Sequence, residues 1–139
     1  MGTVIRPDIS RKNIYWIDKH RYYELKHFCL QYPVWKNELN DIYNSVRVTS
    51  TFKETVSDSL PKDRVSNIVL TKIDYEEKIN LIEKISNKAD KDLSYYILKA
   101  VTEGFSYTYL KARLEIPCSR GLYYDRYRRF FWLLNKERN

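Results

Sequence analysis

Apolar side chains recur at intervals of three and four residues along most of this chain, which is the spacing of a helix with one buried face. Alternation of apolar and polar residues, which would indicate strands, is weak. Only three glycines and four prolines interrupt the 139 residues. The sequence therefore predicts an all-α protein.

The first apolar pattern predicts a helix over residues 18–31, followed at once by a second helix. The Tyr32-Pro33 step should break the first helix, because a residue before proline avoids the helical region. Pro33 itself suits the first turn of the next helix. The predicted buried positions are Tyr22, Leu25, Phe28 and Cys29 in the first helix, and Trp35, Leu39, Ile42, Tyr43 and Val46 in the second. Residues 1–46 are thus predicted to form an N-terminal helical hairpin.

Residues 47–64 are rich in Thr, Ser and charged residues and carry too few apolar side chains to bury a face, which predicts a linker. A long amphipathic helix follows. Its apolar seam comprises Val65, Ile68, Val69, Ile73, Tyr75, Ile79, Ile82 and Ile85, interrupted by Lys72. The seam has two interpretations: the helix packs on its neighbours, or it forms a coiled-coil-like dimer contact.

The last third of the chain carries a sequence of helix start and stop signals. A helix over residues 90–103 meets Gly104, which favours the left-handed conformation that ends helices. Ser106 can cap a short helix, Pro117 ends it within the turn 115–118, and Ser119 can cap a final helix running to about residue 136. We therefore expect residues 65–139 to form a helical DNA-binding domain with a helix-turn-helix at about 106–136.

The final helix separates an apolar face from a basic one. The predicted core face carries Tyr123, Tyr127, Phe130, Phe131 and Leu134, and the opposite face carries Leu122, Asp125, Arg126, Arg129 and Trp132. The chain has a net charge of +7, and residues 104–139 contain eight Lys or Arg against three Asp or Glu. This clustering favours a polyanionic partner, most often nucleic acid and less often an anionic membrane surface.

In a helix-turn-helix, the first residues of the second helix contact base edges in the major groove, while surrounding cations contact phosphates. Arginine can bind guanine O6 and N7 through two parallel hydrogen bonds. The predicted base contacts are Ser119, Arg120, Tyr123 and Arg126. The predicted phosphate contacts are Tyr107, Lys111, Arg113, Tyr124, Arg128 and Arg129.

Other chemistry finds little support in the sequence. Cys29 and Cys118 are isolated thiols, and His20 and His27 lie on one helix without neighbouring residues at metal-ligand spacing. The carboxylates at 76–77 and 90–92 lie in Lys-rich helical stretches and are interpreted as solvated. There is no glycine-rich phosphate loop and no nucleophile elbow. We expect no enzymatic activity, no cofactor and no metal. With no apolar run of 18 residues, we also expect a soluble, cytoplasmic protein without a membrane partner.

Two segments of the chain resemble the RinA/ArpU family of phage late-gene transcriptional activators. They are LEIPCSRGLYYDRYRRFFWLLNKER near the C-terminus and YYELKHFCLQYPVWKNEL near the N-terminus. The resemblance implies a C-terminal part similar to the promoter-binding region of sigma factors, activation of packaging and structural genes of phages or prophages, and host RNA polymerase as a partner at the bacterial nucleoid. Gly121 and the run of apolar residues after Arg129 depart from the common sigma-like pattern, which leaves the facing of the last helix open.

Two alternatives remain at this point. One is a small-terminase-like DNA-packaging protein, which also joins a helix-turn-helix to an oligomerising helical part. The other is a helical protein-interaction module whose basic face balances an acidic partner without specific DNA binding. For the leading hypothesis we expect a homodimer, because helix-turn-helix proteins commonly bind two half-sites.

Overall fold

A computed structural model describes residues 12–52 and 62–138, with side chains described outside 46–52 and 62–63. Within these residues the chain forms six α-helices and no strand, which confirms the all-α prediction. The helices are α1 (Lys19–Leu30), α2 (Tyr32–Phe52), α3 (Lys62–Ala89), α4 (Ser94–Glu103), α5 (Tyr107–Leu114) and α6 (Arg120–Glu137). None of the helices in the described part is both long and apolar enough to cross a membrane.

The chain divides into two compact units whose boundaries differ from the predicted hairpin, linker and C-terminal domain. Among the described residues, unit 1 combines 12–31 with 81–138, and unit 2 comprises 32–52 and 62–80. Helix α1 thus belongs with the C-terminal helices, because its apolar face packs against α4 and α6. Helix α2 continues to Phe52 and α3 begins at Lys62, so both described ends of the predicted 47–64 linker are helical. Residues 53–61 lie outside the described part.

Unit 1 has a well-defined apolar core. Its buried residues from α1 and α6 are Tyr22, Leu25, Phe28, Cys29, Tyr123, Tyr127, Phe130, Phe131 and Leu134. The end of α3, α4, α5 and the turn after it add Ile82, Ile85, Ala89, Ile97, Ala100, Val101, Leu110 and Ile116. All five residues predicted for the core face of the last helix are buried. One polar contact lies inside this core, where the hydroxyl oxygens of Tyr22 and Tyr127 are 2.9 Å apart.

The ends of the C-terminal helices follow the local signals in the sequence. Gly104 ends α4 with a φ of +74°, a conformation that costs other residues free energy because their Cβ meets the following carbonyl. The Ser106 hydroxyl accepts a hydrogen bond from the Tyr109 amide at the start of α5. The Ser119 hydroxyl does the same for the Leu122 amide at the start of α6. The result is a short capped helix, α5, and a longer capped helix, α6, separated by a tight turn.

The segment before α1 is also part of unit 1, which its residue types did not predict. Tyr15 and Ile17 are buried, and the Tyr15 ring meets the Trp132 ring of α6 edge-on, with 5.5 Å between centroids. Asp18 then caps α1 by accepting a hydrogen bond from the His20 amide. A stretch that looks mostly polar therefore covers part of α6.

Unit 2 consists of α2 and the first part of α3, which run antiparallel. Near the start of α2, the Lys78 ammonium lies 5.4 Å from the centre of the Trp35 ring. Further along α2, the Tyr43 hydroxyl donates a hydrogen bond to Glu76, and the Tyr43 ring centre lies 4.9 Å from the Lys72 ammonium. The contacts between the two helices thus proceed in opposite directions along the chain. Most of these contacts are made by polar side chains at the surface.

Candidate nucleic-acid interface

The turn between α5 and α6 is fixed by one apolar and two polar contacts. Ile116 is fully buried, and its amide donates a hydrogen bond of 3.2 Å to the Leu110 carbonyl. The Tyr107 hydroxyl donates a hydrogen bond of 2.7 Å to the Cys118 carbonyl. Glu115 ends α5 in the left-handed region with a φ of +54°, which is uncommon for a residue other than glycine. These contacts hold the start of α6 in a defined position relative to α5.

Arg120, the first residue of α6, is exposed and at the same time held in place. Its guanidinium lies 4.9 Å from the centre of the Tyr107 ring and 5.9 Å from that of Tyr124. One of its amino groups donates to the Tyr124 hydroxyl at 2.9 Å, and the other lies 3.5 Å from the Thr108 hydroxyl. Guanidinium groups stack well on aromatic rings. We call Arg120, Tyr107, Thr108 and Tyr124 the Arg120 shelf.

Two of the tyrosines predicted to contact DNA, Tyr123 and Tyr107, are buried. Tyr123 is 1% exposed, with its ring centroid 5.5 Å from that of Tyr107 and 5.9 Å from that of Tyr127. Burial raises the pKa of Tyr123 well above its ordinary value, with smaller contributions from neighbouring phenols. Its prediction as a base contact is wrong, because α6 turns this side chain into the core. Tyr107 is also buried, and its hydroxyl holds the turn instead of facing a phosphate.

Arg126, the second arginine predicted to contact bases, forms ion pairs with the carboxylates of Asp90 and Asp125. Its Nε donates a hydrogen bond of 3.0 Å to Asp90 Oδ2, and its Nη1 lies 3.1 Å from Asp125 Oδ2. The second oxygen of Asp90 accepts hydrogen bonds from the amides of Asp92 and Leu93. Asp90 is therefore not a freely solvated carboxylate. Arg126 thus ties α6 to the turn before α4, whereas the sequence predicted it as a base contact.

Arg129, predicted to contact a phosphate, lies beneath the segment that precedes α1. One of its amino groups approaches the Tyr15 hydroxyl at 3.4 Å, and its Nε is buried without a hydrogen-bond partner in the described structure. The sequence could not reveal this, because Tyr15 and Arg129 are 114 positions apart. The covering by Tyr15 removes Arg129 from the set of readily available cations.

Four predicted phosphate contacts remain accessible around the α5–α6 turn. Lys111 is exposed, and its ammonium lies 3.4 Å from the Ile116 carbonyl. Arg113 is exposed and Arg128 is partly exposed, and neither forms a hydrogen bond or ion pair with another described residue. Tyr124 keeps a partly exposed ring next to Arg120. Ser119 is exposed, with its hydroxyl engaged at the N-terminus of α6.

The residues around the α5–α6 turn supply cations and hydrogen-bond donors. Cys118 is partly exposed, and burial followed by the charge of Asp90 raises the pKa of its thiol, so the thiolate is disfavoured at neutral pH. Across residues 12–52 and 62–138, no three His, Cys, Asp or Glu side chains come together as a metal site. The cations and hydrogen-bond donors of this surface are suited to an anion.

Comparison of the chain with protein-family models, with curated proteins and with solved structures gives no match.

Proposed function

We propose that this chain binds double-stranded DNA in a sequence-specific manner through α5 and α6 and that it regulates transcription. The observation that carries the proposal is the position of Arg120. This arginine is exposed at the first residue of a capped helix, directly after a tight turn from a short helix. In a helix-turn-helix, this is the end of the second helix that enters the major groove.

The Arg120 shelf suits a base contact for an energetic reason. A long arginine side chain loses conformational freedom when it binds, and this loss lowers affinity. Here the guanidinium is already oriented by the Tyr107 and Tyr124 rings and by the Tyr124 hydroxyl. Arginine has five N–H donors in a planar fork, so donors remain to bind O6 and N7 of a guanine. Orientation before binding therefore favours specificity at one base pair.

The accessible cations around the turn provide the less specific part of the contact. Lys111 and Arg113 lie on α5, and Arg128 lies on α6. Contacts of such side chains with phosphates give affinity and fix the register on the duplex without selecting a sequence. Residues 104–139 contain eight Lys or Arg and only three Asp or Glu. We therefore expect the affinity for DNA to fall steeply as the salt concentration rises.

The biological setting that we propose is activation of late genes in a phage or prophage, through contact with the host RNA polymerase. This part rests on the resemblance to the RinA/ArpU activators alone. The same resemblance motivates a location at the bacterial nucleoid.

The decisive experiment is an in vitro selection of bound fragments from phage and bacterial genomic DNA, repeated at two salt concentrations with the purified chain alone. We expect one short site to be enriched at both concentrations, and a position beside a late operon would support the regulatory role. Binding without enrichment, lost at the higher salt, would contradict specific recognition and leave only an electrostatic surface.

The Arg120→Lys variant tests whether the Arg120 shelf carries the specificity. Lysine keeps the positive charge but lacks the planar fork. We expect the preference at one base pair to fall by about 1 to 3 kcal/mol, while affinity for unrelated DNA stays the same. Lys111→Ala is the matched comparison, because it should weaken binding to all sequences alike. Unchanged selectivity in Arg120→Lys would refute the assignment.

A further inference from the structure

The outward side of α6 near its start carries Gly121 and, one turn later, Asp125. These residues are four positions apart, so they lie above one another on the same side of the helix. That side is opposite the buried face formed by Tyr123, Tyr127 and Phe130. In a helix-turn-helix, the outward side of the second helix faces the major groove near the start of that helix.

Gly121 has no evident role in the folding of the described chain. Its φ lies outside the left-handed region, where the described glycine is Gly104. Apart from the adjoining residues and the helix backbone, no atom lies within 4 Å of the position that a Cβ at Gly121 would take. Alanine would therefore fit there, and it favours a helix more than glycine does. Because glycine also lets a bound molecule approach the backbone closely, the empty space over Gly121, here called the Gly121 gap, is available to DNA.

Asp125 places a negative charge on this side of a basic helix. It is the only acidic residue among positions 120–134, and its side chain is 48% exposed. Its Oδ2 accepts a hydrogen bond of 3.1 Å from Arg126, whereas its Oδ1 accepts none from a described residue. A carboxylate repels phosphates, so Asp125 lowers the affinity for DNA in general unless a base donates a hydrogen bond to it.

We propose that Asp125 accepts a hydrogen bond from the N4 amino group of a cytosine beside the guanine that Arg120 binds, and that the Gly121 gap admits the edge of this base pair. This inference rests on the proposed function of α5 and α6. A guanidinium offers only donors and a carboxylate only acceptors, so Arg120 and Asp125 require bases with opposite hydrogen-bonding groups. The two residues thereby select guanine at one position and cytosine at a neighbouring one.

The other three bases are unsuitable partners for the Asp125 carboxylate. In the major groove, guanine and thymine present acceptors and no amino group, and adenine presents its N7 acceptor next to its N6 amino group. The N7 atom of adenine would therefore face the second oxygen of a carboxylate. Cytosine presents its N4 donor without an adjacent acceptor, which makes it the favoured partner.

The contact with cytosine does not require the ion pair with Arg126. Asp125 has a short side chain, so the position of its carboxylate is set mainly by the backbone of α6. The Oδ1 atom can accept a hydrogen bond from a base whether or not Oδ2 is bonded to Arg126. The structural role of Arg126, which pairs with Asp90, is therefore compatible with base recognition by Asp125.

Repeating the DNA selection with Asp125→Asn tests the contact with cytosine. Asparagine has nearly the same shape, but its amide pairs with N6 and N7 of adenine. We expect the preference for cytosine at one position to fall about fivefold or more, with a shift towards adenine. The guanine preference that depends on Arg120 should persist.

Glu137→Gln is the matched control for the change in charge. It removes one negative charge at the far end of α6, where Glu137 pairs with Lys84 and Lys88, and it should leave every base preference unchanged. An unchanged preference for cytosine in Asp125→Asn, or the same change in both variants, would overturn the role of Asp125.

Gly121→Ala tests the gap separately from folding. Alanine adds one methyl group to the gap, and urea unfolding should show a chain at least as stable as the original. We expect the affinity for the selected site to fall about tenfold or more, comparable with the loss of one base-pair contact. Affinity for unrelated DNA should change little. Equally tight binding of the selected site by Gly121→Ala would overturn the role of the gap.

The outcome for the original chain separates this inference from the proposed function. If the original chain selects no site, sequence-specific binding is wrong, and the roles of Asp125 and Gly121 are wrong with it. If it selects a site that depends on Arg120 but is unaffected by Asp125→Asn and Gly121→Ala, only the roles of Asp125 and Gly121 are wrong.

Discussion

The ion pair between Asp90 and Arg126 gives a prediction that distinguishes a structural role of this arginine from contact with DNA. Arg126→Met removes the guanidinium but keeps a long apolar stem that can cover the same surface. Asp90→Asn removes the negative charge but keeps a side-chain oxygen that can accept hydrogen bonds from the amides of Asp92 and Leu93. The two variants thus break the same ion pair from opposite sides.

The magnitude follows from the burial of the two side chains. The Arg126 and Asp90 side chains are 31% and 18% exposed, and the Nε to Oδ2 distance is 3.0 Å. Exposed ion pairs contribute about 0 to 1 kcal/mol, and hydrogen bonds to charged groups contribute about 1.5 to 3 kcal/mol. This pair lies between the two cases, so we expect each single variant to lower the free energy of unfolding by about 1 kcal/mol. Asp90→Ala also removes the hydrogen bonds to the two amides and should cost about 2 kcal/mol.

Urea unfolding of the two single variants and the double variant measures the coupling between the residues. We expect the double variant to be about as stable as either single one, which corresponds to a coupling of about 1 kcal/mol. A coupling near zero would mean that the ion pair contributes nothing to stability. DNA selected by Arg126→Met should show the same base preferences as DNA selected by the original chain. A changed preference would refute the structural role and restore Arg126 as a base contact.

Gly104 and Gly121 should respond to alanine with opposite changes in the free energy of unfolding, as measured by urea unfolding. Gly104→Ala should destabilise by about 1 kcal/mol, because φ is +74° there. Gly121→Ala should stabilise by up to about 1 kcal/mol, because a Cβ in α6 would have no atom within 4 Å; loss of stability would refute this. In a separate test, burial and then the neighbouring Tyr22 raise the pKa of Tyr127 well above its ordinary value. The unfolded chain therefore ionises first, and above about pH 10 this residue should lower the free energy of unfolding by about 1.4 kcal/mol per pH unit. Tyr127→Phe should remove that part of the slope between pH 10 and 11, and an unchanged slope would contradict the assignment.

Local signals in the sequence were sufficient for most helix ends. Gly104 ends α4, Ser106 and Ser119 cap the following helices, and the Tyr32-Pro33 step marks the boundary between α1 and α2. Each of these effects acts within a few residues of the chain, so the residue type alone carries the information. The prediction of a linker at 47–64 did not include helix at its two described ends. Composition argued against a buried face at 47–52, yet α2 continues through these residues.

The availability of the arginines on α6 could not be predicted in the same way. Spacing correctly separated the core face of α6 from the rest, but Arg126 is neutralised by Asp90 and Arg129 is covered by Tyr15. Those partners lie 36 and 114 positions away along the chain, and no local pattern links them to α6. The sequence also placed Tyr123 among the base contacts, although its own periodicity assigned that residue to the core.

The sequence by itself determined that the chain is helical, where most helices begin and end, and where positive charge accumulates, because these properties depend on residue type and short-range spacing. Only the tertiary structure decided which elements share a core and which cations stay accessible. It grouped α1 with α4 and α6. It left Arg120 exposed against two aromatic rings, whereas Arg126 pairs with Asp90 and Arg129 is covered by Tyr15. These outcomes depend on contacts between distant segments, which form only when the whole chain folds.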